Sequence, residues 1–228
     1  MKPSLKDPRG GPSSDPSRNL LWPLLAGAFV AAMAFAFLEL GWEVLEGETQ
    51  GFDQRVLLLA QTLRSQYPLL TLIMRDLTSL GSTVVMTLIT AVTVIYLALF
   101  GSRRMAALVL VAMVSGSALV SLTKGLFGRA RPDLAFAELT VSGLSFPSGH
   151  ASMSAIAFLT MGALIAATRH RTRERIYILL IASLVTLLVG ISRVALGVHW
   201  ATDVVGGWAF GAAWAVVWLQ VARALVKR

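Results

Sequence analysis

Two ionisable side chains near the C-terminus, His199 and Asp203, have the spacing of a reacting pair. They lie in the stretch SRVALGVHWATD, residues 192–203. If this stretch is helical, an imidazole and a carboxylate four residues apart lie on one face within hydrogen-bonding reach. Arg193 precedes the histidine, and its planar guanidinium has the donors to hold an anion such as phosphate. A histidine poised by an acid is one interpretation; a helix capped by Thr202 and Asp203 is the simpler one.

The composition places these charged groups in a membrane protein. Of the 228 residues, 56% are apolar and 14% are charged, and the mean hydropathy is +0.71. These values exclude an ordinary soluble domain, and ionisable residues within a membrane usually serve a function. The net charge of +8 comes from short basic clusters between apolar runs, so no nucleic-acid partner is expected. The absence of cysteine excludes disulfides, thiolate catalysis and cysteine-bound metals.

Six apolar runs predict the architecture, because a bilayer core of about 30 Å needs about 20 helical residues to cross it. We predict an all-α integral membrane protein whose six transmembrane helices lie at 20–40, 84–100, 105–122, 151–167, 176–191 and 204–225. Residues 1–19, rich in proline, glycine and serine, are predicted to form a disordered cytoplasmic tail. Residues 20–228 then form one helical domain.

The segment between the first two predicted spans, residues 41–82, carries charges among short apolar stretches, none of which can cross a bilayer. Residues 52–64 and 68–80 are predicted to form two short amphipathic helices at the membrane interface, with Gly81 and Ser82 ending the second. These helices would shape an entrance for a lipid, or they would form a packed loop, and the sequence leaves both open.

The distribution of basic residues predicts the orientation. With the N-terminus in the cytoplasm, 13 of the 20 lysines and arginines lie on the cytoplasmic side. The positive-inside rule therefore places both termini in the cytoplasm of a plasma or inner-membrane protein. The end of the third span, the start of the fourth and the turn before the sixth then share the periplasmic or extracellular side.

Two further motifs lie on that side. Lys124, Arg129 and Arg131 gather near the end of the third span, where cations are usually few; snorkelling to the lipid interface is the alternative. Ser148 and Gly149 precede the fourth span, where a hydroxyl cap and free backbone N–H groups make an anion site, although an ordinary N-cap fits as well.

Histidines are rare in the chain and unevenly placed. His150 lies directly after the predicted anion site, whereas His170 lies in a basic cytoplasmic loop with no evident partner. The basic cluster, the motif before the fourth span and the pair near the C-terminus each have an ordinary explanation, but three such coincidences on one side of the membrane are improbable. The pattern favours a single anion site that includes two histidines.

The three motifs have a defined order and spacing. They read K-x6-R-P from Lys124 to Pro132, P-S-G-H at 147–150, and S-R-x5-H-x3-D from Ser192 to Asp203. This set resembles the signature motifs of the type 2 phosphatidic acid phosphatase (PAP2) superfamily. Soluble haloperoxidases that bind vanadate share that superfamily, but six helices of membrane length point to its membrane branch.

The resemblance implies a PAP2-like helical bundle that hydrolyses a phosphate or diphosphate through a phosphohistidine. It implies His199 as the nucleophile, Asp203 as the group that holds its tautomer, and His150 as the proton donor to the leaving oxygen. It also implies a phosphate cradle formed by Lys124, Arg131, Ser148, Gly149 and Arg193. Arg129 lies outside the family pattern and receives no role.

No cofactor or metal is expected in this scheme. The alternative, a metal site formed by His150, His199 and Asp203, would be surrounded by cations that repel a divalent ion. The expected partner is a lipid phosphate in the surrounding membrane: undecaprenyl diphosphate or a broad range of lipid phosphates first, then phosphatidylglycerol phosphate, phosphatidic acid or a lipid A phosphate. A catalytically inactive lipid-binding or transport protein is the alternative of another class. The oligomeric state is not indicated.

Overall fold

The computed structural model describes residues 16–226, with the side chains of residues 21–133 and 135–225. Within this range every regular element is helical. The helices are α1 (Pro16–Glu46), α2 (Gln50–Gln66), α3 (Pro68–Ser79), α4 (Thr83–Phe100), α5 (Arg103–Phe127), α6 (Gly149–Ser154), α7 (Thr160–Ala167), α8 (Thr172–Ala195) and α9 (Ala201–Val226). A 3-10 turn occupies Leu134–Phe136, and a π-helical segment, Ala155–Leu159, joins α6 to α7.

Six helical stretches of the described chain are long and apolar enough to cross a membrane. They are Leu21–Glu46, Pro68–Phe100, Arg103–Phe127, Gly149–Ala167, Thr172–Ala195 and Ala201–Leu225. The prediction of an all-α protein with six spans is confirmed. The first helix begins at Pro16, four residues before the predicted start, and the remainder of the predicted tail, residues 1–15, lies outside the described residues.

The two helices between the first and second predicted spans differ in character. α2 lies outside the six candidate spans, and its inward face carries charge, because Asp53 and Arg64 are buried there beside Leu57. Leu58 and Leu59 on the opposite face are more than half exposed. α2 therefore presents its apolar face outward and its charged face to the protein.

α3 is amphipathic, with Leu69, Leu72 and Ile73 exposed and Thr78 buried. Together with α4 it forms one apolar stretch of 33 residues, about 50 Å of helix and longer than a bilayer core of about 30 Å. A break separates the two helices at 80–82, where the Ser82 hydroxyl caps α4 by accepting from the N–H of Val85. α3 packs against α8.

Two glycines of α9 allow it to approach α6 closely. A Cβ at Gly207 would lie 2.9 Å from the carbonyl oxygen of Ser148, and one at Gly211 would lie 2.6 Å from that of Ser152. The four-residue spacing of these two glycines therefore allows close helix packing. It also brings the motif that opens α6 against the start of α9, where the N–H of Ser148 donates to the carbonyl of Asp203 at 2.9 Å.

An aromatic cluster anchors the loop between α5 and α6. The ring of Phe146, which is fully buried, lies 5.6 Å from that of Phe37 and 4.8 Å from that of Phe127, measured between centroids. Because Phe146 directly precedes the P-S-G-H motif, this cluster holds the loop end in place beside α1 and α5.

Candidate active site

The turn between α8 and α9 carries His199. α8 ends at Ala195 and α9 begins at Ala201, so His199 lies in a turn between two helices, as in the simpler interpretation, and no single helix carries both His199 and Asp203. Gly197 has a φ of +72°, a conformation that favours glycine and lets the chain reverse. The turn nevertheless brings Nδ1 of His199 to 3.1 Å from Oδ2 of Asp203. The predicted contact forms through a turn and a helix start.

The two ring nitrogens of His199 have different partners. Nε2 lies 2.9 Å from Nη1 of Arg131, and a guanidinium can only donate. Nε2 is therefore the unprotonated nitrogen and Nδ1–H donates to the Asp203 carboxylate, a tautomer assigned from the hydrogen-bond network. The lone pair of the imidazole faces the predicted phosphate cradle.

The carboxylate of Asp203 is fully buried and accepts from four donors. Oδ2 accepts from Nδ1 of His199, from the Ser145 hydroxyl and, at 2.9 Å, from the N–H of Trp200. Oδ1 accepts from Nη1 of Arg129 at 2.8 Å. Because Trp200 directly precedes α9, the carboxylate caps that helix and also holds the histidine. Asp203 therefore makes the contacts of both interpretations: it caps α9 and it bonds to His199.

Two predicted phosphate ligands, Lys124 in the last turn of α5 and Arg131 in the loop that follows, donate to backbone carbonyls. Nζ of Lys124 donates to the carbonyls of Leu144 at 2.8 Å and Ser145 at 3.2 Å. Nη1 of Arg131 donates to the carbonyl of Val198 at 2.8 Å. Both side chains retain donors that these carbonyls do not use.

Two further predicted ligands have buried donors without a partner. Among the described residues, the Ser148 hydroxyl and Nε of Arg193 are buried and make no hydrogen bond, although Nη1 of Arg193 donates to the Thr78 hydroxyl at 2.8 Å. Buried donors are normally satisfied, and an unpaired one is costly. Both donors are therefore suited to an anion that enters from outside the chain.

Gly149 and His150 complete the cluster. A Cβ built at Gly149 would have Lys124 Cε at 4.0 Å as its nearest neighbour, so the backbone is open towards the lysine. The imidazole of His150 lies against Gly81, where a Cβ would come 3.3 Å from Cδ2. Lys124 and Arg193 lie close enough to this imidazole to interact with it electrostatically. All eight predicted site residues thus lie in one cluster.

A groove between α4 and α5 leads to this cluster from the side of the protein. It has a volume of about 820 Å³, and Lys124 and Gly149 lie at one end of it. Much of its wall is apolar, including Met86, Val94, Ile95, Leu110, Met113 and Val114. Such a groove has the surface to hold a hydrocarbon chain next to the cations.

The arrangement does not fit the alternative metal site. Nδ1 of His199 is bonded to Asp203 and Nε2 faces a guanidinium, so both ring nitrogens already have partners in the protein. No group of three histidine, cysteine, aspartate or glutamate side chains in the described chain is placed to hold a metal ion.

Sequence reasoning missed the residues that contact the predicted site residues from behind. Arg129 received no role, and Asp53, Ser145 and Thr78 were not singled out, yet each contacts a predicted site residue or Arg129. The sequence carries only a weak signal: Asp53 and Arg64 share a helical face with Leu57, opposite Leu58 and Leu59. The same pattern fits an interfacial amphipathic helix whose charged face is in water, so it does not identify the partners of Asp53 and Arg64.

Two solved structures match the fold. The crystal structure of a transmembrane PAP2 type phosphatidylglycerolphosphate phosphatase from Bacillus subtilis matches with a TM-score of 0.76 and 26% identity, over 86% of this chain and 96% of that one. That of Aquifex aeolicus LpxE shares the fold, with a TM-score of 0.57 and 21% identity, over 74% of this chain and 95% of that one. With six apolar spans, the class is a multi-pass membrane phosphatase.

Sequence comparison identifies the family. The model of the PAP2 superfamily matches residues 105–227. Phosphatidylglycerophosphatase B of Bacillus subtilis (strain 168) is 34% identical over 183 residues, which cover 77% of this chain and 85% of that protein. The chain belongs to the PAP2 superfamily.

The protonation of His199 follows from its burial. Burial lowers the pKa of His199 to about 4, although the hydrogen bond and the charge of Asp203 act in the opposite direction. A histidine with a lowered pKa is neutral above that value and takes up a proton only as the pH falls through it. His199 is therefore a neutral imidazole at neutral pH before substrate binds.

We predict that nuclear magnetic resonance of the substrate-free protein, with nitrogen-labelled histidines, will show His199 as the neutral Nδ1–H tautomer down to about pH 5, because its pKa is about 4. The His199→Gln variant assigns the signal by its loss. A midpoint near the ordinary histidine value of about 6.5 would contradict the burial argument.

Proposed function

We propose that this protein hydrolyses the phosphate ester of a membrane lipid, with His199 as the nucleophile. The observation that carries the proposal is the pairing of the two ring nitrogens. Nδ1 is held by Asp203, while Nε2 faces Arg131 with its lone pair. A nucleophile oriented by an acid beside anion-binding donors is the arrangement that phosphoryl transfer needs.

In the first step, Nε2 of His199 attacks phosphorus and the bond from phosphorus to the lipid oxygen breaks. The imidazole acquires positive charge, which the Asp203 carboxylate stabilises through Nδ1–H. The departing alkoxide takes a proton from His150, which acts as general acid. A bound phosphate offsets the cations around His150 and so favours the protonated imidazole that this role requires.

In the second step, water attacks phosphorus and the bond from phosphorus to Nε2 breaks. His150, now neutral, accepts the proton of the attacking water. Inorganic phosphate leaves and His199 returns to its neutral tautomer. One histidine thus serves first as acid and then as base, while the other carries the phosphoryl group.

The donors around the imidazole would hold the oxygens of the transferring group. The unpartnered Ser148 hydroxyl and Nε of Arg193, with Arg131, Lys124 and the N–H of Gly149, supply charge and hydrogen bonds where negative charge accumulates. The scheme uses no metal, because these cations take the place of a Lewis acid.

The groove and the relatives support a lipid substrate. The apolar wall between α4 and α5 ends at Lys124 and Gly149, so a hydrocarbon chain in the groove would place its phosphate at the cluster. The relative of 34% identity is named phosphatidylglycerophosphatase B. We therefore place phosphatidylglycerol phosphate first among the candidates and undecaprenyl diphosphate, the preference predicted from the sequence, second.

The purified protein, assayed in excess EDTA, should release inorganic phosphate with the highest kcat/KM from phosphatidylglycerol phosphate among four lipids. The other three are undecaprenyl diphosphate, phosphatidic acid and a lipid A phosphate. His199→Ala should lower turnover by on the order of 10⁴-fold or more, because no phosphohistidine can form. His170→Ala is the matched control, since that histidine is exposed in the loop before α8.

Three outcomes would contradict parts of this proposal. A higher kcat/KM on undecaprenyl diphosphate would reverse the order of substrates. Activity lost in EDTA and restored by one divalent ion would establish a metal-dependent mechanism. No phosphate release from any of the four lipids would favour the alternative of a lipid-binding or transport protein.

We also propose that both termini lie in the cytoplasm and that the site opens on the other side of the membrane. The support is the distribution of basic residues, 13 of 20 on the inferred cytoplasmic side. A membrane phosphatase with this orientation would act on lipid head groups of the outer leaflet.

Single introduced cysteines test this orientation cleanly, because the chain has no cysteine of its own. Ser142→Cys, exposed in the loop before α6, should react with an impermeant thiol reagent in cells whose outer envelope is permeable to it. Thr172→Cys, exposed at the start of α8, should react only after the membrane is lysed. Labelling of position 172 in intact cells would overturn the orientation.

A further inference from the structure

Arg129 lies between two buried carboxylates. Nη1 donates to Oδ1 of Asp203 at 2.8 Å, and Nη2 donates to Oδ2 of Asp53 at 2.6 Å. Both carboxylates have side chains that are 0% exposed, and the side chain of Arg129 is 11% exposed. The guanidinium therefore bridges α2 to the first turn of α9.

Asp53 also contacts α9 directly. Its Oδ1 accepts from the N–H of Thr202 at 3.0 Å, and its Oδ2 accepts from the Thr202 hydroxyl at 2.6 Å. The N–H groups of a first helical turn have no partner within their own helix and attract a carboxylate. Asp53 thus caps α9 from another helix, next to the point where Arg129 holds Asp203.

The charges of this group match the chemistry proposed for His199. Two carboxylates and one guanidinium carry a formal net charge of −1 (−2 and +1) while the imidazole is neutral. When His199 gains a positive charge in the phosphorylated state, the group becomes neutral. Arg131, 2.9 Å from Nε2, would then pair with the phosphoryl group that Nε2 carries. The net negative charge of the two carboxylates and Arg129 is left to balance the imidazole, and buried charges are tolerated when they are paired.

We propose that Arg129, held by Asp53, is a positioning residue for Asp203. By binding Oδ1, Arg129 fixes the carboxylate plane so that Oδ2 stays directed at Nδ1 of His199. The contacts of its Nη atoms are with carboxylates and the hydroxyls of Thr49 and Thr202, so it acts through Asp203 and not on phosphate. The inference rests on the proposed roles of His199 and Asp203.

Arg129→Gln removes the charge and the two-sided bridge. We expect kcat for phosphatidic acid or an aryl phosphate to fall by roughly 10- to 100-fold, taking as a guide the loss that follows removal of a carboxylate or other partner from a metal-ligating histidine. KM and the inhibition constant for vanadate should stay within about 3-fold, because the cradle is intact. Asp53→Asn should show a smaller loss of the same kind.

A double-mutant cycle separates positioning from a general structural role. If Arg129 acts through the Asp203 carboxylate, Arg129→Gln should cause less than about 3-fold further loss in the Asp203→Asn background. Equal losses in both backgrounds would overturn the proposal. A raised KM and a weaker vanadate inhibition with unchanged kcat would also overturn it, because Arg129 would then bind phosphate.

Controls keep the test decisive. Arg55→Gln removes an exposed cation of α2 that donates to the carbonyl of Gly51 in its own helix, and it should leave kcat unchanged. If Arg129→Gln fails to fold, Arg129→Lys takes its place, because an ammonium lacks the planar fork that binds two carboxylates at once, and normal kcat in that folded variant contradicts the proposal. Normal kcat in Asp203→Asn alone would instead contradict the proposed function.

Discussion

A buried carboxylate, that of Asp203, is the group on which the site depends. A charge inside a membrane protein is tolerated only where other groups replace its hydration. Here four donors do so, and they come from the turn before α9, from Ser145 and from Arg129 of the loop after α5. Meeting this requirement brings two distant loops together, and with them the residues predicted to bind phosphate.

The helices around the carboxylate are arranged to make that meeting possible. Phe146 is held against the rings of Phe37 and Phe127, which brings Ser145 within reach of Asp203. The glycines at 207 and 211 let α9 lie against α6, which places Ser148 beside the same residue. α2 turns its charged face inward because Asp53 meets both Arg129 and the start of α9.

The spans and the site cluster could be predicted from the sequence because both leave local signals. Long apolar runs are required by the bilayer itself, and the motif residues share one side once the spans alternate. The contact between Arg129 and Asp53 could not be predicted, since the two residues are 76 positions apart and their contact depends on how α2 packs. The pairing of His199 with Asp203 was predicted from helical spacing, but it forms across a turn that Gly197 permits.

The central claim, a phosphohistidine at His199, is tested most directly in a His150→Ala variant with a radiolabelled aryl phosphate. A phenolate leaves without a proton, so His199 should still be phosphorylated, whereas hydrolysis of the intermediate lacks its base. The account predicts that this variant accumulates close to one phosphate per chain, labile to acid and stable to alkali, and absent when His199 is also replaced by alanine. Continued turnover with no labelled protein, or a label carried by another residue, would contradict it.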